Sequence, residues 1–83
     1  MRSTDNNNLV YGFYSNGIYV VEGNETGHPC TGYGGFMISF HGTQSGYDYV
    51  KLLVLTNSFI YVMSQDNSGK IIVPFKLVAK GPE

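Results

Sequence analysis

Cysteine is nearly absent from this chain: Cys30 stands alone, so no intrachain disulfide can form. Metal-binding side chains are as scarce, since a structural zinc site takes about four ligands, typically Cys and His, and only Cys30, His28 and His41 are on offer. No metal or other cofactor is therefore expected. Charge is sparse too, with five Lys and Arg against six Asp and Glu and charged residues at 13%. Nucleic-acid binding normally leaves a basic footprint, and its absence argues against a nucleic-acid partner. No run of about 18 apolar residues exists to span a bilayer, and Met1 to Asn8 lacks the apolar centre of a signal peptide. The expectation is a cytoplasmic protein, or a secreted one if Met1 is an engineered start on a mature chain.

Enzyme signatures are missing as well. Ser39 and His41 fall on one face of a predicted strand, but no carboxylate is placed to orient the histidine. Nothing cationic adjoins Cys30 to activate a thiolate. The loop glycines are not followed by the Gly-Lys-Ser or Gly-Lys-Thr of a phosphate-binding loop. Asn24-Glu25-Thr26 fits a glycosylation acceptor, a triplet too common by chance to carry weight. A binding protein, not an enzyme, is expected.

What is present is a β-former's composition: aromatic residues make up 14%, seven of them Tyr with no Trp. Eighty-three residues allow one domain, placed at 9–79 between a flexible 1–8 and a tail at 80–83, and such a chain buries roughly 60% of its unfolded surface. With no disulfide or metal to staple it, self-association is the remaining support.

Leu9 to Ser15 and Ile18 to Glu22 are aromatic and β-branched runs separated by Asn16-Gly17, the dipeptide best suited to a two-residue hairpin turn. That register pairs Phe13 with Val20 and Tyr14 with Tyr19, so Tyr11, Phe13, Ile18 and Val20 are expected to face the core. Tyr14 and Tyr19 then lie exposed side by side on the outer face. Gly23 to Gly35 carries five glycines and reads as a long loop. Phe36, Ile38 and Phe40 alternate with Met37, Ser39 and His41, the pattern of a half-buried third strand.

Tyr47 to Asn57 reads either as a helix capped by Ser45, with Tyr47, Val50, Leu53 and Val54 on one face, or as a buried strand; the Leu-rich run favours the helix. Phe59 to Gln65 and Lys70 to Ala79 form a final hairpin across Asp66-Asn67-Ser68-Gly69, and Pro74 marks an edge or a bulge. A four-residue loop pairs Val62 with Val73 and Ile60 with Phe75. Phe59, Tyr61, Met63 and Ile72 are left on the opposite face, too apolar for open water, and are the expected oligomer interface.

This order of elements resembles the five-stranded oligonucleotide/oligosaccharide-binding (OB) barrel with one helix. Within it, Lys51 to Val62 is similar to the helix-to-strand passage of the pentameric B subunits of bacterial toxins, such as the Shiga type, and the turn at Asn67-Ser68-Gly69 and the last strand stand where that family has them. The family usually carries a disulfide, which this chain cannot form. The resemblance implies a mainly β, OB-like barrel in a homo-oligomeric ring that recognises a cell-surface glycan, with a catalytic partner subunit as a further expectation. The alternatives in fold are an all-β antiparallel sheet or an SH3-like barrel. The alternative in function is a small phage or bacterial inhibitor that blocks a host enzyme or defence complex by direct protein binding. In either case Tyr14, Tyr19 and Tyr33, with His28 as a polar contact, are the candidate ligand-binding residues, because aromatic platforms beside a Gly-rich loop hold sugars and protein surfaces.

Overall fold

A computed structural model describes residues 2–4, 7–10, 14–66 and 68–81, the side chains of Gln44, Tyr47, Asp48 and Tyr49 excepted. Six strands make one sheet: β1 (Arg2–Ser3), β2 (Gly17–Val21), β3 (Gly35–Gln44), β4 (Tyr47–Thr56), β5 (Phe59–Gln65) and β6 (Ile71–Lys80). They lie in chain order across the sheet, antiparallel from β2 to β6, with β1 parallel to β2. The chain is thus mainly β, as expected. The sheet does not close into an OB-like or SH3-like barrel, since β1 and β6 end it on opposite sides. Arg2–Ser3 and the Asn8–Thr26 bridge draw part of 1–8 into the fold, and Lys80 completes β6.

No helix occurs among the described residues, and the stretch expected to be helical, Tyr47 to Asn57, is β4 and the residue after it. The physical reason lies at its start. Ser45 and Gly46 both take positive φ, 53° and 81°, closing a two-residue hairpin that sets Gln44 opposite Tyr47. Ser45 therefore turns the chain and does not cap a helix. Both faces of β4 are apolar because β4 is central, paired along its length with β3 and over its second half with β5, and Leu-rich strands are tolerated where neighbours cover them.

Asn16-Gly17 is not a hairpin turn. Gly17 opens β2, whose antiparallel partner is β3, with Tyr19 opposite Met37. The expected Phe13–Val20 pair involves Tyr11, Gly12 and Phe13, which lie outside the described residues. Asn16 instead uses its side chain as a strand would: Nδ2 donates to the His41 carbonyl at 3.2 Å, and Oδ1 accepts from the His41 N–H. That pairing continues the β3 edge one step past the end of β2.

The turn between β5 and β6 is built by Asp66, whose Oδ1 accepts from the backbone N–H groups of Ser68 (2.9 Å) and Lys70 (3.0 Å) and from the Ser68 hydroxyl (2.6 Å). Hydrogen bonds from the Ser68 hydroxyl and these N–H groups hold the Asp66 carboxyl below its ordinary range. The β6 register differs from the expected one: counting from the turn, Val62 pairs with Lys76 after two register shifts and Ile60 with Ala79 after a third. Pro74 falls inside the shifted stretch, as a residue without an N–H must on an edge strand.

The core lies on one face of the sheet. Tyr19 and Val21 of β2, Met37 of β3, Leu52 and Val54 of β4 and Met63 of β5 form it, with Leu9 and Tyr14 from the N-terminal segment laid across them. This is the opposite face from the one expected at β2, β3 and β5, whereas on β6, beyond the register shifts, Phe75 packs against the core as expected. Tyr19, Met37 and Met63 point inward; Ile18, Val20, Phe36 and Phe40 are exposed. Neighbouring side chains of a strand point to opposite faces, so one misjudged parity inverts a whole strand, and pairing carries the inversion from β2 through β5.

Candidate functional site

Tyr14 and Tyr19, expected to be an exposed platform, are core residues with 1% and 3% of their surface accessible. Their rings meet edge to face, with centroids 4.9 Å apart, the arrangement the ring quadrupole favours. Tyr14 donates its hydroxyl proton to the Asn8 carbonyl at 2.5 Å, and Tyr19 donates to the Ser15 carbonyl at 2.7 Å. Arg2 donates to the Tyr19 hydroxyl at 3.1 Å with its guanidinium carbon 5.6 Å from the ring centroid. Polar tips satisfied in this way let tyrosines serve as core.

His28 is buried also. Its Nδ1 accepts from the Cys30 N–H at 2.9 Å, which leaves the proton of a neutral ring on Nε2, and Nε2 has no hydrogen-bond partner among the described residues. Nearby Glu25 organises the Gly23 to Gly35 loop, its carboxylate accepting from the N–H groups of Glu22 (2.5 Å) and Gly23 (2.9 Å). Burial, the largest influence, raises the Glu25 pKa; the N–H groups of Glu22, Gly23 and Glu25 itself, with His28 close by, more than reverse this and hold the carboxyl below its ordinary value. Among the described residues no three His, Cys, Asp or Glu side chains gather as a metal site would require.

Tyr33 is the one expected ligand-binding ring that is exposed. It packs edge-on to Phe59 at 5.1 Å, and Phe59 adjoins Tyr61 at 6.0 Å. The Tyr61 hydroxyl neighbours the Cys30 thiol, and burial, followed by that neighbour, pushes the Tyr61 phenol up. Phe59 and Tyr61 are only partly accessible and Met63 is fully buried. Three of the four residues expected to form an oligomer interface thus lie on the covered face, while Ile72 is exposed at a register shift of β6.

What the structure leaves open is the other face. Its side chains follow from the register as rows across the sheet: Val20, Phe36, Leu55, Ile60 and Ala79 in one, then Ile18, Ile38, Leu53, Val62 and Lys76, then Phe40, Lys51, Ser64 and Val73. Ile18, Phe36 and Phe40 keep 48%, 45% and 54% of their surface, whereas Ile38, Leu53, Leu55, Ile60 and Val62 between them are half-buried. Both faces are thus rich in apolar side chains: Ile, Val, Leu and Phe face outward, while Val, Leu, Tyr and Met with Ser39 and Gln65 face inward.

Lys51 and Lys76 are the charged residues of these rows, and Lys51 is tied down by donating from Nζ to the Ser64 hydroxyl at 2.5 Å. At the corner where β2 stops and the β3–β4 hairpin continues, a hollow of ≈ 690 Å³ opens between Ile18, Ile38, Phe40 and Lys51 on this face and Asn16 and His41 at the strand edge. An apolar surface of this breadth, bounded by scattered polar groups, has the chemistry of a contact with another macromolecule. Ile18, Val20, Phe36, Ile38 and Phe40 were expected in the core, and Leu53 and Leu55 in a helix, so this face was not foreseen as one surface.

No protein-family model, curated protein or solved structure matches the chain.

Proposed function

We propose that this protein is a non-catalytic interaction module that works by placing the open apolar face of its sheet against another protein surface. The observation that supports this reading is the face itself: core-type side chains run across five strands, and Ile18, Phe36 and Phe40 are exposed on it. Monomeric proteins rarely leave a contiguous apolar patch of more than a few hundred Å² in water. Recognition of a glycan leaned on the Tyr14 and Tyr19 rings, and those are in the core, which favours a protein surface as the target.

The test places a photo-activatable benzophenone side chain in place of Ile38, at the centre of the open face, and in a second variant in place of Ile72 on the edge strand. Irradiation in cells producing the protein should give protein adducts from position 38 and not from position 72. Adducts no more abundant from position 38 than from position 72 would refute the reading.

A further inference from the structure

We infer that the surface covering the open face is that of a second copy of this chain, packed sheet on sheet about a two-fold axis running along β4. This rests on the reading that the open face is a contact surface, and adds which surface it meets.

The first argument is shape. Among the five strands β2 to β6, β4 is the middle one. A two-fold along it lays β3 of one copy over β5 of the other and β2 over β6, and keeps each row at its own level. Phe36 then meets Ile60 of the second copy, Val20 meets Ala79, Ile38 meets Val62 and Phe40 meets Ser64. In each case the bulkier side chain comes from the β2–β3 half and the smaller from the β5–β6 half, so the two surfaces interdigitate without voids. Ile18 meets Lys76, whose aliphatic stem can lie along it while the ammonium reaches water. Aligned sheets cross at about 30°, which slides these partners slightly without exchanging the halves.

The second argument is area. Five strands spaced about 4.8 Å apart, with rows spanning about five residues at about 3.4 Å, make a mostly apolar field of roughly 19 by 14 Å. One side chain of rim all round extends it to roughly 29 by 24 Å, approaching the roughly 800 Å² per partner of a standard stable interface. The third is charge. Lys51 would face its own counterpart across the axis, but its Nζ leans toward its own Ser64 on β5, and the two-fold turns the two ammonium groups to opposite sides of the axis. The centre, Leu53 and Leu55 on the axis strand, carries no charge to desolvate.

The experiment uses the purified chain. Light scattering at micromolar concentration should give one species at twice the 9.2 kDa chain mass. Phe36→Glu should raise the dissociation constant at least about 100-fold, because a carboxylate is forced into an apolar contact, while Ile72→Lys leaves it unchanged. With Cys30→Ser as background, Leu53→Cys should be coupled to its own counterpart by a short bis-maleimide, which spans the roughly 10 Å between packed sheets, and Ile72→Cys should not. That coupling decides the matter even if Phe36→Glu fails to fold. A monomer up to about 100 µM, a dimer that Phe36→Glu leaves intact, or coupling through position 72 in place of 53 would each overturn the inference. A monomer in isolation whose position 38 still cross-links to a different protein in cells would overturn the second copy alone; absence of any position-38 adduct would remove the contact surface as well.

Discussion

Tyr14 and Tyr19 show how a single side chain can change roles with the direction it faces. Each buries a ring against the other and closes its hydroxyl onto a backbone carbonyl, and Tyr14 also accepts, at its own carbonyl, the Ser39 hydroxyl proton at 2.9 Å. Removing either ring hollows the core, so Tyr14→Ala and Tyr19→Ala should each cost about 3–5 kcal/mol of stability, read as a fall in the denaturation midpoint. Tyr14→Phe keeps the ring and strands only the Asn8 carbonyl, for about 1–2 kcal/mol. If both alanine variants melt with the parent, the rings are not core. Glu25 gives a pH-dependent case. Its folded-state pKa lies below the ordinary value of 4.5, so the ionised carboxylate stabilises the fold above about that pH, and the contribution is lost as pH falls through the folded-state value. Glu25→Gln should therefore be less stable at pH 7 by about 1–2 kcal/mol, having lost charge-assisted bonds to the Glu22 and Gly23 N–H groups. Its stability should also fall less steeply with acid than the parent's. The slope left over belongs to carboxyls such as Asp66, which is likewise held below its ordinary range.

At the scale of elements, two glycines shape the β3–β4 hairpin in different ways. A Cβ on Gly35 would stand 2.0 Å from the Leu55 carbonyl oxygen, so Gly35→Ala must part the strands at the end of the hairpin and should cost about 1–3 kcal/mol. Gly46 has open space around it but a φ of 81°, so Gly46→Ala is strained by conformation alone and should cost about 1 kcal/mol. Amide exchange along β3 separates the two: Gly35→Ala should loosen the Gly35–Ile38 end, and Gly46→Ala the Thr43–Gln44 end. The same hairpin explains what could be read in advance. The existence of β3, β5 and β6 was legible in their alternation, and so was the turn at Asp66. β4 was not, because a central strand is apolar on both faces and loses the period that identifies it. Nor was its turn, since Ser45-Gly46 is a weaker hairpin signal than Asn16-Gly17, which the structure spends on capping an edge. Parity was misread for a related reason: Ile18 and Val20 look more like core than Tyr19 and Val21, and it is Leu9 and Tyr14, packed on the tyrosine face with Val10 beside them, that mark which side is inside.

For the molecule as a whole, that inversion leaves a single sheet with one face covered, and a small domain normally needs two packed layers around its core. If a second copy supplies the missing layer, folding and association are linked. Part of the apolar surface that stabilises each chain is then removed from water only in the dimer, so the folded state is favoured by mass action. The melting temperature should therefore rise with protein concentration: each tenfold increase favours the folded dimer over two unfolded chains by about 1.4 kcal/mol. For a small domain a shift of that size moves the midpoint by several degrees, well within calorimetric resolution. Added salt between about 50 and 500 mM should change this dependence little, since the three rows of the face are mostly apolar and carry no pair of opposite charges that salt would screen. Phe36→Glu should flatten the dependence and lower the midpoint at high concentration toward that of the dilute parent. A midpoint that holds steady across a hundredfold range of concentration would mean that each chain is stable with its Ile, Val and Phe face in water, and that the second layer is not provided by its own kind.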